Sequence, residues 1–333
     1  MKKFFTLILT IGVIGFFFLP PVFAAEKKVY KIKWAHVLAP SEPTHIAALE
    51  TASRIKERTN GAVDIEVYPS SQLGKQVDVF QQVKMGAPII AHIEPSWAAD
   101  LGPYEIGAVQ GPFLIKNYDE FKNLVNSDLI AEQNQKLLDA AGLRIITWNW
   151  YFGPRHIISD RGFKTPDDLQ GLKIRCPSSP TWVETFKVLG ATPVTIPWGE
   201  VYTGLSQGVV EAAEAPLSTL YGSKLYEVKK VITLTGHFKA ITGQVINEKF
   251  LKSMPQEYQQ IISEEIIRGG EKMSEMTVNG QQEFIEKLTA EGVSFVEPDL
   301  DAYQAKAKGF YDQNLHPKWP PDMWDKLQKA IHY

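Results

Sequence analysis

Residues 171–216 read GLKIRCPSSPTWVETFKVLGATPVTIPWGEVYTGLSQGVVEAAEAP. A short strand-like run ends at Arg175 and is followed at once by Pro177. A helical segment comes next, then the strand-like TPVTIP, then a second helix opening around residues 198–200. Strand, helix, strand, helix at this spacing is the rhythm of an open α/β sheet. Such sheets leave a crevice beyond the carboxyl ends of their strands, where an arginine can meet a small anion. The planar fork of a guanidinium matches a carboxylate at two points. Arg175 therefore reads as the anchor of a site for a small organic acid, the plainer alternative being a solvated surface arginine.

The same rhythm extends outward in both directions. Strand-like VYKIKWAH, AVDIEVYP and IIAHIE alternate with helical HIAALETASRIKERTN and KQVDVFQQVKMG. Asn60-Gly61 closes the first long helix, with glycine where a positive φ is wanted. A further unit follows, with DEFKNLVNSDLIAEQNQKLLDAAG as its helix and LRIITWNWYF as its strand. TPDDLQGLKIR opens with a Thr-Pro-Asp helix start. The chain is expected to cross between two lobes near residues 148–153 and again near 236–245, with GQVINEKF as a return strand. From residue 255 to 292 the pattern is almost continuously helical, with possible kinks at Gly269-Gly270 and Asn279-Gly280.

The chain of 333 residues begins MKK, continues with the apolar run FFTLILTIGVIGFFFLPP, and reaches Val22-Phe23-Ala24. A basic start, an apolar core and a small-residue site describe a secretory signal peptide, expected to be cleaved after about Ala24. The alternative is a membrane anchor, since the run approaches spanning length. Losing residues 1–24 removes Lys2 and Lys3 and takes the net charge from −3 to −5. A mildly acidic chain without a basic stripe argues against nucleic acid. The remaining length exceeds a usual single core, which also calls for two lobes. Cys176 is the only cysteine, so no internal disulfide can form, and it reads as a small buried hydrophobe.

Several blocks resemble the extracytoplasmic solute-binding proteins of TRAP transporters, the DctP-like family. They are GLKIRCP at 171–177, GATP at 190–193, EVYTGLSQG at 200–208 and EAP at 214–216, with YPSSQLG at 68–74 and PFLIKNYDEF at 112–121 upstream. The resemblance runs in order over nearly the whole mature chain. It implies a two-lobed α/β periplasmic-binding-protein fold, each lobe a sheet flanked by helices, with a long helix touching both. Lobe one would comprise 25–152 plus about 240–275, and lobe two 153–239. Residues 276–333 would supply the spanning helix and carboxyl-terminal helices packed on both. The resemblance further implies a periplasmic, monomeric binding subunit that closes over a carboxylate and docks on TRAP membrane subunits rather than on lipid. Transport would then run on an ion gradient.

By the same resemblance Arg175 makes the two-point carboxylate contact, Arg155 adds a second cationic contact, and Trp198 forms an apolar wall. Glu94 and Glu214 would accept hydrogen bonds from ligand hydroxyl or amino groups, or orient the arginines. His36 and His237 sit at expected strand ends facing the cleft, where either could hydrogen-bond a ligand. Phe152, Trp97, Trp150 and Trp182 are further wall candidates. The chain departs from the family's sugar-acid binders at Ala215 and Phe152, where they carry asparagine. Fewer amide groups leave buried ligand hydroxyls unpaired, at roughly 1–3 kcal/mol each. A polyhydroxylated acid such as sialic acid is thereby disfavoured against a dicarboxylate, a 2-oxo or hydroxy acid, or an aromatic acid. No cofactor or metal is expected.

Two other functions compete with this reading. A sensory partner of a membrane receptor would share both fold and site. An exported enzyme acting on a small organic acid is the less favoured alternative. H-E-x-x-H, G-x-S-x-G, the phosphate loop and C-x-x-C are all missing from the sequence, which leaves open only chemistry on paired carboxylates, and nothing points to it.

Overall fold

The structure, a computed structural model, describes residues 28–311 and 319–332. The expected signal peptide at 1–24 lies outside these residues. Ten strands are described: β1 Tyr30–Ala35, β2 Val63–Tyr68, β3 Ile89–Ile93, β4 Leu143–Ser159, β5 Lys173–Cys176, β6 Thr192–Thr195, β7 Ala212–Pro216, β8 Val231–Thr233, β9 Lys239–Asn247 and β10 Ser294–Val296. Their order is β2-β1-β3-β9-β4-β7-β5-β6, with β8 on β4 and β10 on β8.

The long strand β4 joins the two halves. From Leu143 to Pro154 it pairs antiparallel with β9, which in turn pairs with β3. From Arg155 onward its neighbours are β7 and β8. One strand thus closes the β2-β1-β3-β9 sheet and opens the β7-β5-β6 sheet. This is the two-lobed α/β fold that the sequence calls for. Each sheet is apolar on both faces and covered by helices. Ile106, Leu137 and Trp148 fill one face of the first sheet, and Trp34, Ile55 and Ile266 the other. Trp182 and Phe186 fill one face of the second sheet, and Leu205 and Leu220 the other.

Local sequence explains where the elements stop. The helix Pro43–Arg58 ends at Asn60-Gly61, both at positive φ. The expected helix over 119–142 is two helices, Tyr118–Val125 and Asp128–Ala141, because Ser127 caps the second by accepting from the Ile130 amide. Thr165 and Asp168 form a reciprocal capping box on the turn Pro166–Leu169 that leads into β5.

The helix Gln256–Asn279 packs on the helix Pro43–Arg58 and on β4. It is followed by Gln281–Ala290, which packs on Leu217–Gly222 of the second lobe, so the helical run does break at Gly280. Gly269-Gly270 lie inside the helix, which continues across them. A Cβ on Gly269 would stand 2.2 Å from Thr51 Oγ1, and one on Gly270 2.0 Å from Asn149 Oδ1 and 2.7 Å from the Trp150 ring. The pair lets the helix backbone approach β4 closely. The long helix lies astride residue 276, where the sequence reading had placed a lobe boundary.

Candidate functional site

β5, β6 and β7 run parallel, with Arg175 opposite Val194 and Ala213. Arg175 is the last residue but one of β5, so its side chain leaves the sheet at the carboxyl end, where the crevice of an α/β sheet lies. A cavity of about 220 Å³ sits there between the lobes. Val37, Ser71, Gln76 and Trp97 come from the first lobe, and Arg175 and Trp198 from the second.

Arg175 is only 4% exposed. Its Nε donates to the Ile196 carbonyl at 2.9 Å, and its guanidinium carbon lies 5.1 Å from the centre of the Trp198 ring. Among the described residues it forms no ion pair. Burial pulls its pKa down to about 10, the nearby charge of Glu214 opposing that shift. The side chain is still a cation at neutral pH, stripped of water and turned toward a cavity. Trp198 is held in turn by its Nε1–H donating to Ser223 Oγ at 3.1 Å.

Arg155 sits differently. It is equally buried, but its Nε and one Nη bond the two carboxylate oxygens of Glu214, at 2.5 and 2.8 Å. Trp182 Nε1–H donates to the same carboxylate at 3.1 Å, and the Trp182 ring lies 5.4 Å from the Arg155 guanidinium. Burial opposes the charge of Glu214, yet Arg155, aided by the adjacent His237, outweighs it and holds the carboxyl at about 2. The second Nη of Arg155 is 3.7 Å from Glu94 Oε1. Burial lifts the Glu94 pKa to about 7, and its Oε2 has no partner among the described residues. Two buried arginines therefore do different work. Arg155 is neutralised within the protein and Arg175 is not.

Other expected ligand groups are placed behind this first layer. His36 accepts the Leu38 amide at Nδ1, so its proton is on Nε2, which lies 3.0 Å from His45 Nδ1. Both ring nitrogens of His36 are thus engaged within the protein, and its side chain lines a small recess of the first lobe. His237 is fully buried, with Nδ1 2.7 Å from Thr235 Oγ1 and Nε2 3.4 Å from Glu214 Oε2. It stands beside Glu214 and does not line the inter-lobe cavity. Trp150 is also no wall residue, because its Nε1–H binds the Ile266 carbonyl inside the first lobe. Phe152 packs edge-on against His92 and beside Arg155. Trp97 lines the cavity as expected. Cys176 is buried and its thiol is pushed up to about 12 by burial, as suits a small hydrophobe.

Sequence reasoning missed Ser71 and Gln76, which line the cavity from the stretch YPSSQLGKQ. The first of these lies in a block already noticed for its resemblance. It also missed His92 and Gln244, which meet across 152 residues of chain and carry no local signal. Among the described residues no group of three or more His, Cys, Asp or Glu could hold a metal, and no helix is long and apolar enough to cross a membrane.

Residues 34–316 match the family described as bacterial extracellular solute-binding protein, family 7, DctP. The chain belongs to that family. Its members here are TRAP-type solute-binding proteins and not enzymes. The 2,3-diketo-L-gulonate-binding periplasmic protein YiaO of Escherichia coli is 30% identical over 275 residues, covering 81% of each chain. A TRAP periplasmic solute-binding protein of Ochrobacterium anthropi, solved with bound L-fuconate, superposes with a TM-score of 0.87 at 31% identity. That match covers 91% of this chain and 99% of the other. A third, from Fusobacterium nucleatum with bound sn-glycerol-3-phosphate, has a TM-score of 0.86 at 29% identity and covers 92% and 97%.

Proposed function

We propose that this DctP-family chain captures a small hydroxy- or oxo-monocarboxylate in the inter-lobe cavity and delivers it to TRAP membrane subunits. The supporting observation is the charge inventory of the cavity. Lys75 is paired with Glu200 at 3.0 Å and Arg155 with Glu214, which leaves Arg175 as the buried cation lacking a counter-ion among the described residues. Burying a charge is costly unless it is paired. One ligand carboxylate supplies that partner, and the fork of Arg175 accepts it at two points. A second carboxylate would find only Lys75, already paired with Glu200 at the exposed margin. Trp198, Trp97 and Val37 suit an apolar body. The reading is supported by YiaO, named for 2,3-diketo-L-gulonate, and by the Ochrobacterium anthropi protein solved with L-fuconate.

The lobes are assigned as 25–152 with about 240–275, and 153–239, in keeping with the change of partners along β4. Ligand favours the closed form only through contacts made in that form. The signal peptide is cleaved after about Ala24, and the mature protein works in the periplasm as a monomer. It docks on membrane protein rather than lipid.

The test is calorimetry on refolded mature protein, stripped of carried ligand, against 2-hydroxy acids, 2-oxo acids, dicarboxylates, aromatic acids and uronates. A hydroxy- or oxo-monocarboxylate should bind most tightly, and Arg175→Ala should weaken it at least about 100-fold while leaving the fold intact, as befits loss of a buried charge pair. Arg175→Lys keeps the charge but not the fork, and should recover only part. Tightest binding of a dicarboxylate, or unchanged affinity in Arg175→Ala, would overturn the assignment.

A further inference from the structure

Beside the carboxylate anchor lies a small recess in the first lobe, lined by His36, Val37, Ser71, Gln76, Phe80 and His92 among others. It shares Val37, Ser71 and Gln76 with the inter-lobe cavity, so the two spaces adjoin at these residues. Its volume of about 10 Å³ accommodates a single water or one ligand oxygen. No charged side chain lines it among the described residues.

His92 enters this recess with its protonation already decided. Trp34, 1% exposed, has an indole N–H that can only donate, and it donates to Gln244 Oε1 at 2.9 Å. That fixes which end of the amide is oxygen, and the amide nitrogen therefore points at His92 Nδ1, 3.1 Å away. An amide nitrogen donates, so Nδ1 must accept, and the single proton of the neutral ring sits on Nε2. Burial keeps the ring neutral, with a pKa near 3. The rings of Trp150 and Phe152 stand edge-on to it at 6.4 and 6.0 Å, and Gln76 Nε2 binds its backbone carbonyl at 3.3 Å. Nε2 has no hydrogen-bond partner among the described residues, although His92 is only 6% exposed. His36, its neighbour in the recess, has no free ring nitrogen.

We propose that His92 is a specificity-determining residue, whose Nε2–H donates to an uncharged oxygen of the ligand remote from the carboxylate held by Arg175. The contact is direct or passes through the one water that the recess holds. An uncharged donor among uncharged walls matches a keto or hydroxyl oxygen, whereas a second carboxylate would be buried there without a counter-ion. A ligand lacking that oxygen leaves the N–H unpaired, and sites built around a hydrogen bond discriminate strongly against such analogues. This inference rests on the carboxylate reading above and adds the second pole of the ligand.

The probes are 4-oxopentanoate against pentanoate and 5-oxohexanoate against hexanoate, measured by calorimetry on refolded protein. A keto oxygen accepts and cannot donate, so it isolates the proposed polarity. Wild type should prefer at least one oxo acid over its partner by about tenfold or more. His92→Phe should bring that ratio to about one while pentanoate binding persists, and His92→Gln, which restores an N–H, should recover part of it. Arg175→Ala should lose both members of each pair. An unchanged ratio in His92→Phe, or no preference in wild type, would overturn the role of His92 while leaving the carboxylate reading intact. Failure of every probe to bind wild type would overturn both. Independently of ligand, the 15N shifts of His92 should report the Nε2–H tautomer, and an Nδ1–H ring would overturn the proposal.

Discussion

The two arginines of the cleft share a residue type, a degree of burial and a sequence context that resembles one family. They differ in what the fold places beside them. Glu214, 59 residues beyond Arg155, closes a two-point pair with it, and nothing in either local sequence announces that match. Arg175 was legible because it stands at the end of a strand before a proline, and strand ends are where crevices open. The histidines were not, since the role of a ring nitrogen depends on partners brought from elsewhere in the chain. Glu214→Gln tests the pair directly. It leaves the Arg155 guanidinium buried with half its partner, and should cost roughly 3–5 kcal/mol in urea unfolding, the usual penalty for breaking a buried pair. The pH dependence has a defined sign. The folded pKa of Glu214, about 2, lies below its ordinary value of 4.5. Its stabilisation is therefore present above pH 4.5 and lost as the pH falls toward 2. In Glu214→Gln that acid limb should flatten.

Elements were legible where their periodicity is long. The first three strands and the helix Pro43–Arg58 follow from alternation and a glycine stop. β10, three residues long, carries too little pattern to be seen, and it exists because β8 offers it an edge. The Gly269-Gly270 pair shows how the same letters admit two meanings. In sequence two glycines inside a helix suggest a bend, whereas in the fold they admit Thr51, Asn149 and Trp150 against the helix backbone. Gly270→Ala separates these readings. Helix propensity alone predicts a gain of about 1 kcal/mol. The contact at 2.0 Å predicts a net loss of roughly 1–3 kcal/mol from overpacking. A lowered urea midpoint is the expected result, and a raised one would return the pair to an ordinary helical role.

At the scale of the whole molecule, several contacts bridge the lobes besides the shared strands, among them Arg155 with Glu94 and Thr181 with the Gly107 carbonyl. Lys75 meets Glu200 at the exposed margin of the cavity. Deeper, Thr219 Oγ1 lies 2.5 Å from Glu42 Oε2, and Glu42 Oε1 accepts the Ala39 amide. Burial raises the Glu42 pKa to about 7 against the pull of Thr219, Ala39 and the charge of Arg155. A folded pKa above the ordinary 4.5 means stability that is complete below pH 4.5 and lost as the pH rises through 7. Glu94 acts in the same direction and over the same window. Buried neutral histidines such as His36 and His92, held at about 3, act in the opposite direction, so the two carboxyls are read by difference. The thermal midpoint of Glu42→Gln with Glu94→Gln should gain on that of the unliganded wild type as the pH rises from 4.5 to 7. A difference between variant and wild type that stays constant across this window would contradict the burial of both groups.

The continuity of β4 also governs how the molecule comes apart. A chain with two lobes joined by a flexible linker can melt one lobe and keep the other. Here the backbone amides of a single 17-residue strand complete the edge of one sheet and are embedded in the other. Fraying either sheet strips partners from the strand that the other needs. The two lobes are thereby bound into one unit of unfolding.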